Sequence, residues 1–240
     1  MSELFKVMFD PGHGGSEPGA VNKYTREADI NLIVAKAAKN YIEQRSTDFK
    51  VELTRYQDTT IDRQTRCTIS NSFGSDLFMS IHHNAGGGDG FEVYHYTGSE
   101  QGAKLANLLA EEFTALDQNK RFVGSGLYAG TKPGNYDVLA LTDAPAVLGE
   151  FGFMDTKDYT QFDEEEELIK IGHGYGRAAM RFFNYKISDE QKPTILPTIS
   201  ERLLALETAI LEVSESQKVI NDLLNNKTIN DIVTALRTIK

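Results

Sequence analysis

A few polar residues stand where the surrounding pattern is otherwise apolar or rich in glycine, and together their types define a chemistry. His13 lies inside Asp10-Pro-Gly-His-Gly-Gly15, directly after a strand-like run at 5–9. Glycines there let backbone approach a bound group closely, and a histidine on such a turn projects rather than packing in a core. A second β-like run, 77–81, leads into His82-His83-Asn84 and then the loop Gly86-Gly-Gly-Asp-Gly90. Side chains alternate along a strand, so only one of His82 and His83 can face a site at the sheet's end. Glu27 opens a strongly amphipathic segment, and by position alone it is a first-turn glutamate favoured by the helix dipole. Glu150 closes the apolar run that begins at Ala146, where a carboxylate is costly unless paired or protonated, which makes it a general-base candidate. Two strand-end histidines and a carboxylate are the ligand set of a catalytic zinc with water in the open fourth position. Asp10 is expected to bond turn amides or to orient His13.

The elements that must position these residues follow an α/β pattern up to about residue 185. Strands are read at 5–9, 51–54, 77–81, 90–96 and 146–149, from short runs rich in β-branched or aromatic residues. Helices are read at 27–44, 100–116 and about 164–183, from apolar residues at helical spacing, with Asp163 to Glu167 as a solvated helix start. The glycine-rich segments 86–90 and 124–135 are read as loops, the second carrying Tyr128 and Lys132 as candidate groove residues.

Taken in order, Asp10-Pro-Gly-His-Gly-Gly15, Glu27, Leu53-Thr-Arg55, Arg66 ahead of Asn71, Ser80-Ile-His-His-Asn84 and Val147-Leu-Gly-Glu-Phe-Gly-Phe153 resemble the zinc-dependent N-acetylmuramoyl-L-alanine amidases. This is a cell-wall amidase family also used by phage endolysins, and the resemblance covers about residues 4–185. It implies a twisted, mostly parallel sheet of about six strands flanked by helices. It also implies a Zn2+ held by His13, Glu27 and His82, with Glu150 as the catalytic glutamate. The substrate implied is peptidoglycan, cut at the amide between N-acetylmuramic acid and L-alanine. Three positions depart from the family pattern: His83 follows the second metal histidine, Ser70 replaces an alanine and Gly149 precedes Glu150. His83 and Gly149 are expected beside the cleft. Arg55 and Arg66 are expected to make structural ion pairs or hold a loop; Ser80, Ser70 and Cys67 are not nucleophile candidates, and His95 and His173 are not ligands. A zinc peptidase cutting within the stem peptide is the enzymatic alternative, and a catalytically silent wall-binding module the non-enzymatic one.

Composition narrows the partners. Among 240 residues, 25 Lys+Arg against 35 Asp+Glu give a net charge of −10, which gives no help towards nucleic acid or anionic lipid. No run of about 18 apolar residues occurs, so membrane insertion is not expected. Cys67 is the single cysteine and cannot form an internal disulfide. The first residues show no secretory leader. With a wall substrate, that suits an endolysin resting in the host cytoplasm until a holin opens the membrane; an autolysin exported by another route is the alternative.

Beyond the catalytic domain at 1–186, the composition changes. Residues 187–240 hold no glycine and no aromatic residue. A linker is read at 187–198, around Pro193 and Pro197, followed by a small all-α module at 199–240. Ile199, Leu203, Leu206, Ile210, Val213, Gln217, Ile220 and Leu224 step alternately by four and three, a heptad seam. A coiled coil or helical hairpin is expected, serving oligomerisation or wall targeting; a carbohydrate-binding role is disfavoured for want of stacking aromatics.

Overall fold

The computed structural model of the chain describes residues 4–118 and 130–187. The linker from residue 188 onwards, the helical module at 199–240, and residues 124–129 with Tyr128 lie outside the described residues. The elements are β1 (Phe5–Pro11), α1 (Glu27–Glu43), β2 (Phe49–Leu53), α2 (Arg63–Phe73), β3 (Leu77–Asn84), β4 (Glu92–Tyr96), α3 (Glu100–Ala115), β5 (Thr131–Gly134), α4 (Asp137–Ala140), β6 (Ala146–Phe153) and α5 (Glu165–Phe182). A short 3-10 helix, Lys157–Gln161, precedes α5.

The strands form one six-stranded sheet in the order β2-β1-β3-β6-β4-β5. All neighbours are parallel except β4 and β6, so the mostly parallel α/β sheet expected from sequence is present. Helices cover both faces, which is why Val7, Met8 and Phe9 at the centre of β1 are consecutively apolar rather than alternating. Val7 and Phe9 pack into the larger core with α1, α3 and α5, while Met8 packs into a smaller one with Cys67, Phe78, Val138 and Leu148. At the centre of the larger core, Phe113 meets Phe91, Phe151 and Tyr175 edge to face. Full burial of each such ring contributes about 1.5–3 kcal/mol.

Local signals fix the helix ends. The Asp62 carboxylate accepts from Thr65 N at 2.9 Å to cap α2, which stops at Gly74 with φ 69°. Ser99 Oγ accepts from Gly102 N at 3.0 Å to cap α3. Two expectations need correcting. Pro133 and Gly134 predict a loop over 131–134, yet these residues form β5; it lies at the sheet edge, where a proline costs no ladder bond. In addition, β3 and β6 run on through His82 and Glu150 instead of ending before them.

The strand order places a site. From β1 the chain passes through α1 to β2 on one side, then returns through α2 to β3 on the other side of β1. In open α/β sheets, ligands bind at the carboxyl ends of the strands where the order reverses in this way. That crevice lies between the ends of β1 and β3, the strands that lead to His13 and His82.

Candidate active site

The turn after β1 is held by arginines. His13 adopts φ 60°, a left-handed conformation that a non-glycine residue keeps only when its surroundings over-determine it. Arg66 donates to the carbonyls of His13 at 2.7 Å and Pro11 at 2.8 Å. Arg55 donates to Pro11 O at 2.9 Å, Gly12 O at 3.0 Å and Ala28 O at 2.7 Å, tying the turn to the start of α1. Both arginines therefore hold a loop, as expected.

Asp10 differs from its expected role. Its side chain is fully buried and its partners are Arg66 at 2.6 Å, Thr54 Oγ1 at 2.5 Å and Ser80 Oγ at 2.7 Å, not turn amides. Burial pushes this carboxyl upward, but the Arg66 charge and the bonds from Thr54, Arg66 and Ser80 prevail and hold it below its ordinary value. Asp10 thus reaches the His13 turn through Arg66.

Glu27, from the first turn of α1, enters between two imidazoles. His13 Nε2 lies 3.3 Å from its Oε2 and His82 Nδ1 lies 3.0 Å from its Oε1. The two rings meet edge to face with centroids 4.9 Å apart. Ala20 N donates to Oε2 at 2.9 Å and His83 N to Oε1 at 3.1 Å. Burial would raise the Glu27 carboxyl, yet the hydrogen bonds and charges of His13 and His82 outweigh it and hold it well below its ordinary value. Its anion is therefore available as a ligand at neutral pH. Two glycines make the space: a Cβ on Gly12 would strike the His82 imidazole, and one on Gly19, at φ 69°, would strike the Glu27 carboxylate and the His13 ring. Gly19 was not singled out from the sequence, where nothing distinguishes it from any other loop glycine.

One donor atom from each of His13, Glu27 and His82 lies within 4.8 Å of the others. Ligand atoms on a tetrahedral zinc with bonds of about 2.05 Å stand about 3.3 Å apart. His13 Nε2 and His82 Nδ1 stand 3.3 and 3.0 Å from the two carboxylate oxygens of Glu27, and the donor set of two imidazoles and a carboxylate is one that zinc takes. Among the described residues this is the one cluster of at least three His, Cys, Asp or Glu side chains able to hold a metal.

Register brings the glutamate alongside. His82 pairs with Glu150 across β3 and β6, and Glu150 pairs with Glu92 across β6 and β4. Residues opposite each other in register share a face, so His82, Glu150 and Glu92 form a row across the sheet's end. Glu92 was missed from sequence. It is buried and accepts from Lys132 Nζ at 2.6 Å, Tyr94 OH at 2.9 Å and Asn84 Nδ2 at 3.0 Å. The alternation Glu92-Val-Tyr94 was its available signal, since it puts both polar groups on the face of Glu150.

His83 and Gly149, expected beside the cleft, point away from it. Strand alternation turns them to the opposite face, where His83 is only 2% exposed between Asn31 and Phe162. Burial lowers its pKa to about 4, so it is neutral. A Cβ on Gly149 would strike the Tyr175 hydroxyl, which donates to the Gly149 carbonyl at 3.1 Å. Elsewhere, His95 lies next to Tyr96 O and His173 packs on Tyr41, both apart from the cluster. Ser80 is committed to Asp10, Ser70 to Ser75, and Cys67 is core.

Residues 7–179 match the family model described as N-acetylmuramoyl-L-alanine amidase. The chain belongs to this amidase family. The amidase is similar to N-acetylmuramoyl-L-alanine amidase CwlM of Bacillus licheniformis, at 35% identity over 184 residues, 75% of this chain and 70% of that protein. It is similar at 32% over 189 residues to an endolysin of Bacillus phage SPP1, covering 78% of this chain and 68% of that one. Among solved structures, the catalytic domain of the amidase CwlV from Bacillus (Paenibacillus) polymyxa var. colistinus superposes with a TM-score of 0.69 at 26% identity, covering 76% of this chain and all of that one (100%). A Clostridium difficile N-acetylmuramoyl-L-alanine amidase gives the same TM-score of 0.69 at 27% identity, over 77% of this chain and 100% of that one. The amidase thus acts on the cell wall. No helix among its described residues is long and apolar enough to cross a membrane.

Proposed function

We propose that the amidase is a zinc hydrolase that cuts the amide between the lactyl group of N-acetylmuramic acid and L-alanine. The observation carrying this reading is that His13, Glu27 and His82 converge at the switch point with Glu150 one strand away and in register. His13 and His82 would each offer an imidazole nitrogen and Glu27 a carboxylate oxygen. Zinc, when bound, supplies Lewis acidity that lowers the pKa of a water ligand towards about 7 and polarises the scissile carbonyl. Glu150 would take a proton from the attacking water as its oxygen bonds the carbonyl carbon, and would hand that proton to the amine nitrogen as the C–N bond breaks. Arg55 and Arg66 keep the His13 turn in its strained conformation throughout.

The test is digestion of purified peptidoglycan by wild type, chelated and zinc-restored protein, and Glu150→Gln, followed by end-group analysis. New alanine N-termini that disappear with chelator and fall by about 10²–10⁴-fold in Glu150→Gln are expected. Cleavage that frees other N-termini would assign a stem-peptide peptidase instead, and no cleavage by a folded, zinc-loaded protein a wall-binding module.

We further propose a phage or prophage endolysin role, supported by the likeness to the SPP1 endolysin; the bacterial amidases among the relatives support an autolysin equally in kind. Such an endolysin waits in the host cytoplasm, so cells expressing it should lyse only when a holin is co-expressed. For the chain's layout we propose a catalytic domain at 1–186, a linker at 187–198 and a helical module at 199–240 that oligomerises. The heptad seam supports this, and light scattering on the full chain and on a truncation at Tyr185 tests it: equal monomeric masses would discard the oligomer.

A further inference from the structure

Beside Glu27 stands a polar chain that the proposed reaction does not use. Asn31, one turn along α1 and fully buried, donates from Nδ2 to Glu27 Oε1 at 3.2 Å and to Gly12 O at 3.4 Å. Both of those partners are acceptors, which fixes the amide's orientation and turns Oδ1 towards His83 Nδ1, 2.9 Å away. His83 Nδ1 must therefore carry the ring proton and donate it. That choice leaves His83 Nε2 bare, buried with no hydrogen-bond partner among the described residues, in a slot walled by Phe151 and Phe162. A side chain needed only for packing would be apolar there and would leave no nitrogen unpaired. The same residue's backbone N–H also reaches Glu27 Oε1, so His83 grips one carboxylate oxygen by two routes, directly and through Asn31.

We propose that Asn31 and His83 form a positioning pair that locks the Glu27 carboxylate in the rotamer a metal requires and thereby sets metal affinity. The proposal rests on the zinc reading of His13, Glu27 and His82. Hydrogen bonds to a carboxylate ligand orient it and limit its freedom to swing away from the ion. Asn31 supplies one such bond, and His83, from the opposite face of β3 to its neighbour His82, prevents the amide from turning.

The test is zinc affinity of the full-length chain, measured by competition with a chromophoric chelator, with the unfolding midpoint of the chelated protein recorded in parallel. Asn31→Ala and His83→Phe are each expected to weaken zinc binding by about 10–100-fold. His83→Asn places an amide nitrogen where Nδ1 stands and is expected to recover most of that loss. Unchanged affinity in Asn31→Ala overturns the proposal, as does a phenylalanine variant that binds like wild type. A lower midpoint with wild-type affinity also overturns it, since the pair would then serve packing alone. Asn31→Asp, of equal size, supports the proposal by the same loss of affinity should the alanine variant fail to fold. A wild type that binds no zinc, with Glu27→Gln indistinguishable from it, is the failure of the zinc reading itself.

Discussion

Asp10 and Glu27 are both carboxylates taken almost out of solvent, both held below their ordinary pKa, and both set against the turn that carries His13. Their partners differ in kind. Asp10 faces a guanidinium, which is always a cation and has no lone pair to offer, and two hydroxyls complete its shell. Glu27 faces two imidazoles, which can each give a lone pair to an ion once they shed a proton. A low pKa therefore identifies neither role; the chemistry of the partner does. Saturation by a fixed cation makes a structural clamp, whereas enclosure by histidines makes a group that could hold a metal.

Four measurements would break or sharpen that contrast. Glu27→Gln should abolish amidase activity and reduce zinc affinity of the folded protein by more than the 10–100-fold expected of an outer hydrogen-bond partner. A retained zinc affinity would remove Glu27 from the ligand set. Asp10→Asn leaves Arg66 buried beside a neutral group and should destabilise the fold by about 3–5 kcal/mol in denaturant titration, with zinc affinity of the folded protein preserved. Zinc loss without destabilisation would reverse the roles assigned here. Ser80→Ala removes one of three donors from Asp10 and should cost about 1.5–3 kcal/mol, the range for a hydrogen bond to a charged group.

The smallest effect is expected in the pH dependence of stability. Because the folded pKa of Asp10 lies below its unfolded value of about 3.9, its contribution is complete above that value. It is lost as pH falls through the lower folded value. Unfolding midpoints of Asp10→Asn should accordingly fall less steeply than wild type below about pH 4. Equal slopes would show that the Asp10 pairing adds nothing to acid stability.

Much of the site was legible in the chain itself. His13 stood on a glycine turn and Glu150 closed an apolar run, both local patterns with a physical cause, and the structure brings His13, Glu27 and His82 into one cluster. Alternation also showed that one of His82 and His83 must face away. The same rule turns His83 and Gly149, expected beside the cleft, under α1 and α5. β5 escaped because Pro133 and Gly134 read as a loop wherever the strand they form is an edge. Glu92 escaped because its partners come from three separate strands.

The sequence by itself determined the period of each long helix, the continuous apolar strands of a doubly covered sheet, and the residue types able to hold zinc. Those are properties of short windows, since side-chain direction repeats every two or 3.6 residues. The tertiary structure decided which groups are partners: Asp10 with Thr54, Arg66 and Ser80, Glu27 with His82 and Asn31, Glu150 in line with His82 and Glu92. Most of those contacts join residues far apart in the chain, and only strand order and register, which no window contains, set which of them meet.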